Sequence, residues 1–113
     1  MSNINLQEKA VKAATRFIER KDWEIVETSW TSPEGTTIDL IANDEDTLVF
    51  IDVTATEYGE GGFEGGKVSC SDLEIAAASW LAGNSPDGGI QVRFDIIDML
   101  VVSTHRALLR HHI

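Results

Sequence analysis

Thr36-Thr37-Ile38-Asp39-Leu40-Ile41-Ala42 and Leu48-Val49-Phe50-Ile51-Asp52-Val53-Thr54 are the two stretches whose reading decides the fold. Each is an apolar run rich in β-branched residues with one acid in its middle, and Asn43-Asp44-Glu45-Asp46-Thr47 between them has the composition of a tight turn. The two predict a β-hairpin. With the loop centred on Asp44 to Asp46, Asn43 falls opposite Leu48 and Asp39 opposite Asp52. Opposed side chains on one face stand about 5 Å apart, and like charges so placed destabilise a sheet. A bound divalent cation would reconcile them, since hard cations collect carboxylate oxygens. A slip of one residue would instead send the acids to opposite faces.

Upstream, Leu6, Ala10, Ala13, Ala14, Phe17 and Ile18 recur at the spacing of an amphipathic helix over Asn5 to Lys21, with Asn3 or Asn5 as its cap. Lys9, Lys12, Arg16, Arg20 and Lys21 then take its outer face, either as a solvated surface or as a phosphate-binding one. Trp23 to Trp30 alternates as a half-exposed strand and ends at the turn Thr31-Ser32-Pro33-Glu34-Gly35. Leu48 to Val53 is apolar on both faces, which suits the middle of a covered sheet.

Downstream, Glu57 to Gly66 holds five glycines in ten residues. It lacks a Walker pattern, because Gly66-Lys67 is followed by Val68, and reads as a loop at the mouth of a site. Ser71-Asp72-Leu73-Glu74 matches a capping box, so a second helix starts near Ser69 or Ser71 and stops at Gly83. Ile90 to Val102 predicts one long strand or a bent pair, and Thr104 to Ile113 a last short helix carrying His105, His111 and His112. Those histidines lack Cys or acid partners at metal-ligand spacing. The order is α+β, a three-layer sandwich with the hairpin at the sheet centre.

At 113 residues the chain suits a single domain spanning residues 1–113. No apolar run approaches the length needed to cross a bilayer, the start lacks signal-peptide features, and one cysteine, Cys70, forms no internal disulfide. These features predict a cytoplasmic protein with no membrane partner. The net charge of -10 opposes nucleic acid overall, although five of the nine bases cluster in the first helix.

Ile38-Asp39-Leu40-Ile41-Ala42, Leu48-Val49-Phe50-Ile51-Asp52-Val53 and Arg93-Phe94-Asp95-Ile96-Ile97, in this order of elements, resemble the YraN-like endonuclease family. That family belongs to the restriction-endonuclease-like, or PD-(D/E)XK, superfamily, and the resemblance runs from about Ala10 to Val102. It implies a mixed central sheet in helix-strand-strand-strand-helix-strand order. It also implies Mg²⁺ held by Asp39 and Asp52, with a lysine two residues beyond the second acid beside the scissile phosphate. This sequence departs from that pattern. Thr54 occupies the lysine position, Thr37 the place of a glutamate, and the Gly-Glu of the first helix falls near Ala10-Val11. Lys67 is the one candidate for a relocated lysine.

Three functions are compatible with the resemblance. The chain is a catalytically weakened nuclease-like domain that binds nucleic acid through Lys9, Lys12, Arg16 and Arg20, or binds a protein partner. It is a working Mg²⁺-dependent DNA endonuclease using Asp39, Asp52 and Lys67. Or it is an acidic protein-interaction module.

Overall fold

The computed structural model describes residues 3–57, 70–84, 91–103 and 106–112. Seven elements follow in order: α1 (Asn3–Glu19), β1 (Glu24–Thr31), β2 (Thr37–Asp44), β3 (Thr47–Glu57), α2 (Cys70–Asn84), β4 (Gln91–Ser103) and β5 (Arg106–His112). The strands form one mixed sheet in the order β1-β2-β3-β4-β5. All pairs are antiparallel except β3 with β4, the strands that flank α2 in sequence. A parallel pair needs such a crossover, and an alanine-rich helix supplies one that lies close to the sheet.

The hairpin register follows from its turn. Asn43 pairs with Leu48 and Asp44 with Thr47, around a two-residue loop in which Glu45 adopts a left-handed backbone (φ 55°). With β3 central, both its faces are covered. Val49, Ile51 and Val53 pack against Ala10, Ala14 and Ile18 of α1, whereas Leu48 and Phe50 pack against Leu73, Ala76, Ala77 and Trp80 of α2. Phe50 anchors the second layer, with the Trp80 ring edge-on at 5.9 Å and the Phe94 ring stacked at 5.8 Å. Trp80 also donates its indole N–H to Glu27 of β1 at 2.9 Å. This is an α+β fold consistent with a restriction-endonuclease-like core.

The end of the chain corrects one expectation. Residues 106–112 form a strand, not a helix, paired antiparallel to β4 with Met99 opposite Leu109 and Ile97 opposite His111. Leu, Ala and Arg favour helix in isolation, but the open edge of β4 offers a row of backbone hydrogen bonds that overrides so weak a preference. Side-chain contacts fix the register. His111 meets the rings of Phe17 and Trp23 edge-on at 5.9 and 5.7 Å, on the α1 face.

Truncating Phe50 to Ala removes the ring that joins two aromatic partners in a fully buried position. The expected loss is about 3–5 kcal/mol of unfolding free energy, read by urea denaturation, against under about 0.5 kcal/mol for Glu74→Ala on the exposed face of α2.

Candidate functional site

Asp39 and Asp52 lie on adjacent strands where those strands part. The β2–β3 ladder ends at Leu40 opposite Ile51, and the next opposed pair in this register is Asp39 with Asp52. Instead of prolonging the ladder, Asp39 Oδ2 accepts the Val53 N–H at 2.8 Å. Gln7 Nε2, from α1, donates to the Val53 carbonyl at 3.0 Å. Side chains thus meet both backbone polar groups of Val53 and take over from strand pairing there.

The local path of β2 changes phase at the same point. Ile38 packs on the α2 side and Leu40 on the α1 side, although two residues apart in a regular strand share a face. Across from Asp39, between the pairs Thr28–Leu40 and Trp30–Ile38, Ser29 sits in the left-handed region (φ 50°), a strain that clusters at functional sites. Asp39 and Thr37 consequently line a cleft of about 410 Å³ under α1, which contributes Gln7, Glu8, Val11, Lys12 and Thr15. Asp52 lies two residues from Phe50 and from Thr54 and shares their face by strand alternation.

Asp39 and Asp52 are both buried. Asp39 lines the cleft on the α1 side while Asp52 shares the Phe50 face, so either acid offers one carboxylate of the kind that Mg²⁺ takes together with water and substrate phosphate. Among the described residues no group of three His, Cys, Asp or Glu side chains is gathered as a protein cage.

The position two residues after Asp52 is closed to general base chemistry. Thr54 is buried and donates its hydroxyl to Asp98 Oδ1 of β4. Lys67 lies outside the described residues. Lys9, Lys12 and Arg16 on α1 are exposed, and so are Arg20 and Lys21, which lie in the turn just after the helix rather than on it, since α1 ends at Glu19. Val11 lines the cleft where the resemblance places a glutamate, and Glu8, one turn earlier on the same side of the helix, lines it as well.

The sequence singled out none of Gln7, Glu8 and Asp98 as a site residue, and Asp95 only as part of the Arg93-to-Ile97 segment. Helical spacing from Val11 back to Gln7 and Glu8 was a usable signal for the first two. For the aspartates the signal was lost with β5, whose histidines face them. His111 Nε2 lies 2.7 Å from Asp95 Oδ2, and His112 Nε2 lies 3.1 Å from Asp98 Oδ2. Asp95, fully buried, also receives a forked pair of bonds from Arg93, both 2.9 Å. Hydrogen bonding to Asp95 holds the Arg93 guanidinium above its ordinary pKa, against the opposing effect of burial. A raised value contributes stability at every pH below the guanidinium's unfolded range, so this pair persists across the working range.

With that geometry in place, sequence comparison identifies the lineage. The family described as "Uncharacterised protein family UPF0102" matches residues 10–99. The chain belongs to UPF0102. This is the YraN-like family, and among its members a UPF0102 protein of Beutenbergia cavernae is 31% identical over 103 residues, covering 88% of this chain and 86% of the relative. UPF0102 proteins of Desulfosudis oleivorans and Nocardia farcinica are each 34% identical, covering 76% and 87% of this chain and 71% and 78% of their own lengths. Among the described residues of this UPF0102 chain, no helix is long and apolar enough to cross a membrane.

Two substitutions test the roles of these acids in the fold. Asp39→Ala leaves the Val53 N–H without its acceptor and costs about 1–3 kcal/mol by chemical denaturation, while Asp39→Asn keeps a carbonyl oxygen there and costs less. Arg93→Gln leaves Asp95 buried without its guanidinium and costs about 3 kcal/mol in the same measurement.

Proposed function

We propose that this protein is a nuclease-fold domain that binds nucleic acid and retains a weak Mg²⁺ site at Asp39 and Asp52, with little or no hydrolytic turnover. The observation that carries the second half of this reading is Thr54. Its hydroxyl is buried and committed to Asp98, where a working site needs a cation beside a phosphate that is gaining negative charge. A preorganised donor of that kind contributes about 3 kcal/mol, or roughly a hundredfold in rate, and a neutral threonine does not supply it.

Membership of UPF0102, with its nuclease-like fold, supports the nucleic-acid half. So do the exposed bases Lys9, Lys12, Arg16 and Arg20, of which Lys12 lines the same cleft as Asp39, because phosphate neutralisation by such side chains dominates non-specific affinity. When bound, Mg²⁺ would polarise a phosphate oxygen and lower the pKa of a coordinated water. Asp39 and Asp52 would hold it, Asp39 being oriented by the Val53 N–H. Gln7 ties α1 to β3 and keeps the mouth of the cleft in register with the acids. Glu8 presents a further carboxylate at the cleft wall.

The test is incubation with single-stranded and branched DNA in Mg²⁺ or Mn²⁺, alongside a binding titration. Binding that weakens steeply with salt, with product formation no faster in wild type than in Asp52→Ala, is the expected result. Turnover abolished by both Asp52→Ala and Lys67→Ala would overturn the weakened-enzyme reading, and an absence of binding at low salt would overturn the nucleic-acid reading.

A further inference from the structure

We propose that the cleft under α1 takes a single unpaired nucleotide of a bound strand, so that the protein engages single-stranded nucleic acid in preference to duplex. This rests on the nucleic-acid reading above and names the form of nucleic acid that the site accepts.

The size of the cleft sets the first limit. Its volume of about 410 Å³ lies near the lower end of the range for small-ligand sites, roughly 300 to 1,000 Å³. It has room for one nucleotide and none for a stacked, paired run. A base in a duplex keeps its faces against its neighbours, and a pocket of this kind receives it only after it has left the stack. Single strands, loops and ends offer such nucleotides without the cost of unpairing.

The lining sets the second limit. One wall is α1, with Val11, Lys12 and Thr15, and the other is the β1–β2 ladder, with Thr28, Ser29 and Thr37. Each threonine brings a methyl group as well as a hydroxyl, so the walls offer apolar surface together with groups that both donate and accept. Thr15 donates its hydroxyl to the Val11 carbonyl at 2.7 Å, and Thr37 shares a hydrogen bond of 2.9 Å with Thr31. Those two are held in place. Thr28 and Ser29 are exposed, and among the described residues no hydrogen bond engages their hydroxyls. Hydroxyls that rotate to donate or to accept suit any base, so the site selects strandedness rather than sequence.

Charge places the phosphate. Lys12 lies on the cleft wall and also one helical turn from Lys9 and from Arg16, so it belongs both to the cleft and to the basic stripe of α1. It is exposed, and among the described residues no ion pair engages it. A strand laid along the stripe carries its phosphates past Lys12, and the nucleotide attached there reaches the cleft. Glu8, one turn before Lys12 on the same wall, disfavours a phosphate at its own end. The molecule's net charge of -10 leaves this stripe as the route of approach for a polyanion to the cleft.

The test titrates the full chain with labelled oligothymidylate and with a duplex of the same length across a series of salt concentrations, without divalent cation. Duplex carries the denser charge, so electrostatics alone favours it. The expected order is the reverse, with oligothymidylate bound about tenfold tighter at equal salt. Thr15→Leu combined with Thr28→Leu fills the cleft from both walls with no change of charge. It should bring the two affinities together while keeping the salt slope of single-strand binding, whereas Lys12→Gln should flatten that slope by about 0.7. In the wild type, oligothymidylate should shift the amide resonances of Val11, Thr28 and Ser29 and the duplex should not, a readout that serves if the double variant does not fold. Equal affinity for the two nucleic acids, or a single-strand preference that survives in Thr15→Leu/Thr28→Leu, would overturn this proposal and leave the nucleic-acid reading standing. A wild type that binds neither at low salt would remove both.

Discussion

The hydrogen bond from the Val53 N–H to the Asp39 carboxylate is the interaction on which the rest of the site depends. A central strand normally gives its N–H groups to its neighbours, and here one is given to a side chain. That exchange ends the β2–β3 ladder at Leu40 and Ile51, shifts the phase of β2 between Ile38 and Leu40, and lets Asp39 line the cleft under α1. The fold therefore holds an acid ready at the place where the sheet opens, and α1 braces the arrangement through Gln7.

Much of this was legible in the sequence because the hairpin is specified twice, by its turn residues and by its apolar pattern. Asn43 to Thr47 fixed which residues oppose each other, and a slip would have turned Val49 and Ile51 from the α1 layer to the α2 layer. The outer bases of α1 and the coverage of β3 on both faces followed from periodicities of 3.6 and 2. The last strand was not legible. Ala107-Leu108-Leu109-Arg110 carries helix-favouring residues, and only the unfilled edge of β4 and the ring contacts of His111 decide otherwise. Misreading that strand hid the acid-histidine pairs at once, since Asp95 and Asp98 acquire meaning only when β5 lies beside them. The phase change at Asp39 was equally invisible, because the side-chain acceptor for Val53 and the left-handed Ser29 across the ladder leave no mark on the apolar pattern of β2.

The distribution of charge is as informative as its sum. Asp95 and Asp98 are internally paired with Arg93 and Arg110, so part of the acidic charge contributes little to the outward field. The bases of α1 stand in solvent. An acidic protein can therefore offer a basic face, and the screening length of about 8 Å at physiological salt allows that face to act locally. In the same way Thr54, at the position where the resemblance expects a lysine, has a structural role. The threonine hydroxyl joins Asp98 to β3 and knits the parallel pair together at the position where an ammonium would have reached outward.

The central claim is that the parting of β2 and β3 retains a divalent-cation site, and paramagnetic relaxation by Mn²⁺ measures it most directly. Titrating Mn²⁺ into isotopically labelled protein should broaden the amide signals of Asp39, Asp52 and Val53 first, and Asp52→Asn should abolish that selectivity. Broadening that begins instead among the exposed acids Glu45 and Asp46, and is unchanged by Asp52→Asn, would contradict the account.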